Sequence, residues 1–144
     1  MQWLNEPNVN TNLTEAAVWG RHMAEVATLA RQRGLTLAGP NFSVGNPDKL
    51  LIESGVFDKA LTAWISNRHI LALHEYALSG NLSSGNYIGR FKMWISRAAY
   101  LKIAPPTIVI TETGYDIQGG HGDGYKNHIT SEAYGDLLVK IRNY

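Results

Sequence analysis

The stretch Thr107-Ile108-Val109-Ile110-Thr111-Glu112-Thr113-Gly114-Tyr115-Asp116 decides how the rest of the chain is read. Pro105-Pro106 ends whatever precedes it, because proline has no N–H to continue a helix or a ladder. Ile108, Val109 and Ile110 then form a β-branched apolar run, the pattern of a strand buried on both faces. The run stops at Glu112, ahead of Thr113 and Gly114. Side chains alternate along a strand, so Ile108, Ile110 and Glu112 are expected on one side. A carboxylate is therefore expected at the carboxyl end of a buried strand, where α/β proteins bind their ligands.

A second apolar run, MQWLNEP at residues 1–7, also ends in a carboxylate, Glu6. Glu6 and Glu112 are 106 positions apart. A (β/α)₈ barrel of about 250 residues uses roughly 31 residues per βα unit, so three units with modest insertions span that gap. Glutamates on strands three units apart converge over one barrel mouth. A carboxylate pair is what glycosidic bond cleavage requires.

Between the two glutamates the pattern alternates strand and helix. Asn12 and Glu15 make a capping box for a helix over 14–33, which carries Trp19, Met23, Val26 and Ala30 at helical spacing and ends at Gly34. Residues 35–38 read as a short strand that stops at Gly39-Pro40. A helix broken at Gly55 follows over 47–54 and 57–65. Residues 70–73 form the next strand, leading into His74-Glu75-Tyr76. A polar loop over 79–86 precedes a helix over 87–102. The stretch 118–127 is glycine-rich and polar, and 131–144 is a last helix with Leu137, Leu138 and Ile141 on its apolar side. The order β-α-β-α-β-α-β-α defines an α/β fold with parallel strands in a single domain over 1–144.

Bulk properties exclude several classes. The 144 residues carry a net charge of only +1, which argues against a nucleic-acid groove or a membrane-surface patch. No apolar run approaches the roughly 20 residues of a membrane span. There is no cysteine, hence no disulfide and no thiolate metal site. His121, Asp123 and His128 share one loop, but their spacing matches no zinc or calcium pattern. The chain opens inside a strand-like run, so any leader segment would lie upstream and localisation stays unassigned.

Three segments carry a family resemblance. Trp3-Leu4-Asn5-Glu6-Pro7 resembles the W-x-N-E-P segment that ends strand four in the large clan of retaining (β/α)₈ glycoside hydrolases. Ile110-Thr111-Glu112-Thr113-Gly114 resembles the I-T-E-x-G segment that ends strand seven. His74-Glu75-Tyr76 matches the H-x-Y segment at the end of strand six, as in families five and thirty-nine and their relatives. The resemblance implies a partial TIM barrel of about four βα units, strands four to seven. Strands one to three and eight have no counterpart. It implies Glu6 as general acid/base, Glu112 as nucleophile, and Asn5 as ligand of the sugar 2-hydroxyl. Tyr76 would donate a hydrogen bond to the nucleophile, with His74 in the same polar network. Asn41, Phe42, Tyr115 and Tyr125 fall on expected mouth loops and are candidate substrate contacts. Trp3 has the parity opposite to Glu6 and is expected to pack on a helix. No cofactor and no metal are implied, and the partner would be an oligo- or polysaccharide. The alternative is a non-catalytic carbohydrate-binding or structural remnant of such a barrel. Four strands in an unclosed sheet should leave Leu4, Leu37, Leu71 or Ala72, and Ile110 uncovered, favouring self-association through the open face.

Overall fold

A computed structural model describes residues 4–9, 12–78, 87–116 and 129–142. Eight elements follow in order: α1 (Leu13–Gln32), β1 (Ala38–Phe42), α2 (Lys49–Ser54), α3 (Asp58–Ser66), β2 (Ile70–Leu78), α4 (Phe91–Tyr100), β3 (Thr107–Asp116) and α5 (Ser131–Arg142). The strands make one parallel sheet in the order β1-β2-β3. This is the expected α/β alternation, with three strands rather than four among the described residues. The expected first strand is absent at residues 4–6, where Leu4 and Glu6 have φ of 53° and 50°. Left-handed backbone cannot continue a strand.

The helix boundaries follow local chemistry. Asn12 opens α1, its side chain accepting from the Glu15 N–H at 3.0 Å. Asp48 does the same for α2 at the Leu51 N–H, 2.9 Å away. α4 begins at Phe91 rather than at Tyr87, because Gly89 sits at φ 74° and breaks the turn before it. Its start is capped from a distance. Glu75, buried on β2, accepts from the Gly89 N–H at 2.8 Å and the Phe91 N–H at 2.9 Å.

Three helices end alike. In each, a residue at positive φ precedes a residue whose N–H reaches back five positions. Gly34 is followed by Leu35 bonding to Ala30, Arg68 by His69 bonding to Trp64, and Lys102 by Ile103 bonding to Ala98. This is the Schellman ending. The three left-handed residues stand 34 positions apart, so helix endings recur at a fixed interval, each followed within a few residues by a strand.

Two strands differ from the sequence expectation. β1 runs over 38–42 rather than 35–38, because Leu35 is taken up by the end of α1. Pro40 is tolerated because the β1–β2 register slips between Gly39 and Phe42, where no ladder N–H is needed. β2 extends through His74 and Tyr76 to Leu78, well past the expected end at Leu73.

All helices up to α4 cover one side of the sheet. Leu37, Phe42, Leu71 and Leu73 share a core with Met23, Ala27, Ile52, Phe57, Leu61, Trp64, Trp94 and Ala98, and Ile108 and Ile110 pack against it. Phe42 stacks on Trp94 at 5.8 Å between centroids, and Phe57 meets both edge-on. Leu37, Leu71 and Ala72 are buried and Ile110 lies half-buried against the helices, so of the residues expected on an open apolar face only Leu4 is exposed. Two buried polar groups tie the layers. His69 accepts from the Leu37 N–H at Nδ1 (3.2 Å) and bonds the Ala27 carbonyl through Nε2 (2.8 Å), which fixes a neutral ring. The Arg90 guanidinium donates to the carbonyls of Ser43 and Pro47. Burial pulls its pKa below the ordinary arginine range to about 10, against the opposing pull of Glu75 and Asp48.

Two expectations follow. A Cβ on Gly20 would stand 2.3 Å from the Val56 carbonyl oxygen, so α1 approaches the α2–α3 corner only because this position is bare. Gly20→Ala should therefore destabilise by about 1–3 kcal/mol, despite alanine's better helix propensity. Urea unfolding showing an unchanged or raised midpoint would refute the close approach. Lys102→Gly should stabilise by about 0.5–1 kcal/mol by relieving left-handed lysine, read in the same experiment.

Candidate active site

Glu112 reaches its place through a slip in register. β2 and β3 pair Leu71 with Ile108 and Leu73 with Ile110, and then His74 with Glu112. Thr111 is the extra residue of a bulge. Ile108 and Ile110 face the helices, and simple alternation would send Glu112 the same way. The bulge turns it to the opposite side, next to His74. The shared parity of Ile108, Ile110 and Glu112 inferred from the sequence is thus corrected. β3 also continues past Glu112 to Asp116, so Glu112 lies within the strand and not at its end.

Glu6 arrives on an irregular segment held by one side chain. Asn41, buried at φ 36°, donates from its amide nitrogen to the Leu4 carbonyl at 3.0 Å. Its own backbone carbonyl accepts from the Glu6 N–H at 3.0 Å. The amide oxygen of Asn41 accepts from the Thr111 hydroxyl at 3.1 Å, and that hydroxyl also lies 3.3 Å from the Leu73 carbonyl. One amide therefore ties the Glu6 segment to the Glu112 bulge. Asn46 holds the next residues, accepting from the Val9 N–H and donating to the Pro7 carbonyl. Left-handed Leu4 and Glu6 flank Asn5, a strained turn of the kind that persists where surroundings over-determine it.

His74 lies between the two glutamates. Its side chain is 1% exposed, while those of Glu6 and Glu112 are 50% and 48% exposed. Nδ1 lies 3.0 Å from Glu6 Oε1, and Nε2 lies 3.5 Å from Glu112 Oε1. One donor atom from each of the three groups falls within 4.8 Å of the others. The Tyr76 hydroxyl donates to Glu112 Oε2 at 3.4 Å.

A neutral imidazole has one N–H and one lone pair, so it donates to one of these carboxyl groups and turns a lone pair toward the other. Nδ1 lies within hydrogen-bond distance of Glu6, and Nε2 stands at the longer ion-pair distance from Glu112. The arrangement sets two carboxyl groups in unequal surroundings on either edge of one buried ring.

The remaining expected site residues divide. Asn5 is exposed beside Glu6. Asn41 is no substrate contact, because it is buried and its amide is committed to Leu4 and Thr111. Phe42 is fully buried in the stack with Trp94 and Phe57 and offers no face to a sugar. Tyr115 is half-buried against Ala77, Ile88 and Leu137 on the helix side. Trp3, Tyr125, His121, Asp123 and His128 lie outside the described residues. Thr111 and Glu75 were not singled out from the sequence. Neither carries a local signal, since a bulge is a matter of pairing and the Glu75 cap spans 14 positions.

No protein-family model, no curated protein and no solved structure matches the chain.

Asn41→Ala leaves the Leu4 carbonyl without its donor, leaves the Thr111 hydroxyl only the Leu73 carbonyl, and places alanine in left-handed backbone. It should destabilise by about 2–4 kcal/mol, and Asn41→Gly by about 1 kcal/mol less. Denaturant unfolding of the two variants checks this, and a loss under 0.5 kcal/mol in Asn41→Ala would remove the tether from the account.

Proposed function

We propose that this chain is the central part of a (β/α)₈ glycoside hydrolase acting with retention, in which β1, β2 and β3 are strands five to seven. Support for the barrel comes from the sequential parallel order β1-β2-β3 with helices α1 to α4 on one side. The observation that carries the chemistry is the proximity of Glu6 and Glu112 across His74, with donor oxygens within 4.8 Å. Carboxyl groups about 5–5.5 Å apart suit direct attack by one of them, whereas inverting enzymes leave about 6.5–9.5 Å for a water.

In the first step a Glu112 oxygen attacks the anomeric carbon while Glu6 gives its proton to the departing glycosidic oxygen. The product is a glycosyl ester on Glu112. In the second step Glu6, now a carboxylate, takes a proton from water as the water oxygen attacks that carbon, and Glu112 is released. Tyr76 stabilises the charge on Glu112 before attack and after release. His74 holds Glu6 through Nδ1 and sets its other nitrogen against Glu112, so the ring fixes the spacing of the two carboxyl groups. Asn5, exposed next to Glu6, would bind the sugar 2-hydroxyl, as the resemblance implies.

A panel of aryl glycosides and polysaccharides, assayed on a complete barrel containing this chain, tests the reading. Glu112→Gln should lower kcat by at least about 10³-fold with an unchanged fold. Glu6→Ala should slow the second step, and azide should restore turnover by yielding a glycosyl azide of retained configuration. A 2-fluoro glycoside should add its mass to Glu112. Undiminished activity in Glu112→Gln would refute the assignment. Sugar binding with no turnover on any substrate would leave the non-catalytic alternative.

A further inference from the structure

The three groups are also a ligand set. We propose that Glu6, His74 and Glu112 bind one divalent transition cation of the zinc class, and that the bound ion blocks the carboxylate pair. The block rests on the glycosidase reading; the binding does not.

Geometry makes the case. Zinc sits about 2.0–2.1 Å from an imidazole nitrogen and about 2.0–2.2 Å from a carboxylate oxygen, so neighbouring donors around it stand about 3.0–3.5 Å apart. The Glu6–His74 and His74–Glu112 contacts are 3.0 and 3.5 Å. They use different ring nitrogens, and an ion takes only one. The carboxylate facing the other nitrogen must therefore swing toward the ion. It can do so, because both glutamate side chains are half exposed and the three donor atoms already lie within 4.8 Å.

What separates this cluster from a solvated acidic pair is the imidazole. His74 is buried and held from both edges, so its ring needs no ordering when an ion arrives. The lone pair that otherwise meets a carboxylate oxygen would be satisfied by the cation. One nitrogen and two oxygens suit zinc, cobalt, nickel or manganese better than calcium or magnesium, which favour oxygen alone. Three protein ligands leave a coordination position open toward the solvent side. No pattern of residue spacing could reveal this set, since its members are 68 and 38 positions apart.

Calorimetric titration of the metal-free chain with zinc chloride tests the proposal. The expected result is one zinc ion per chain bound at this site. Glu6→Gln and Glu112→Gln, which change charge with little change in volume, should each weaken binding at least tenfold. His74→Phe should abolish it, and the surface variant His22→Gln should leave it unchanged. Magnesium chloride should give no binding heat. Absence of zinc binding would overturn the proposal. So would binding that survives both glutamine variants, or magnesium binding of equal strength. Zinc should also inhibit any glycoside hydrolysis, but the heat is read without a substrate. A complete barrel containing this chain that binds zinc and hydrolyses nothing would refute the glycosidase reading alone; one that hydrolyses and binds no zinc would refute the metal site alone.

Discussion

A single buried amide holds the two halves of the site in register. Asn41 grips the backbone at Leu4 with its nitrogen and accepts from Thr111 with its oxygen, and its main chain receives the Glu6 N–H. Glu6 lies on an irregular segment and Glu112 on a bulge, and neither feature is fixed by a regular ladder. Buried hydrogen bonds of this kind contribute modestly in net terms but are expensive to leave unmade, so the arrangement is close to all-or-none. The glutamates can be half exposed and still closely placed because the restraint lies beneath them.

The sheet below supplies stiffness of a different kind. Aromatic packing of Phe42, Phe57 and Trp94 fixes β1 against α3 and α4, while His69 ties the Leu37 N–H to the Ala27 carbonyl of α1 and Arg90 satisfies the loop carbonyls of Ser43 and Pro47. Glu75 points toward the helices, its neighbours His74 and Tyr76 toward the open side. Adjacent residues of one strand thus divide between supporting the fold and facing the candidate site. The glutamate that caps α4 has no part in the chemistry proposed for the other two.

Much of this was legible in the sequence, for physical reasons. Helix periodicity, the Asn12 cap and the β-branched run before Glu112 are local, and the elements fall close to where those patterns put them. The family resemblance put His74 and Tyr76 beside Glu112, and the unbroken alternation of β2 sends both to one side. Parity failed on β3, because the bulge at Thr111 depends on which residue β2 offers opposite it. Asn41 and Phe42 were expected at a rim and lie in the interior, since β1 begins three residues later than its apolar run suggests. Left-handed Leu4 and Glu6 have no signature in side-chain type at all. They are imposed by Asn41 from 37 positions away.

The recurring helix ending gives the chain a ruler. Gly34, Arg68 and Lys102 mark off blocks of equal length, each opening with a strand and closing with the last helix before the next mark. Within a block the connections vary freely: one holds a helix broken into α2 and α3, the other a single α4 behind a longer loop. Length is conserved while content is not. A segment of that length copied in tandem would bring its own strand, its own stop and its own cover, and would widen the sheet by about 4.8 Å. The fold therefore grows by whole paragraphs of sequence, and the loops between marks are where one paragraph can differ from the next.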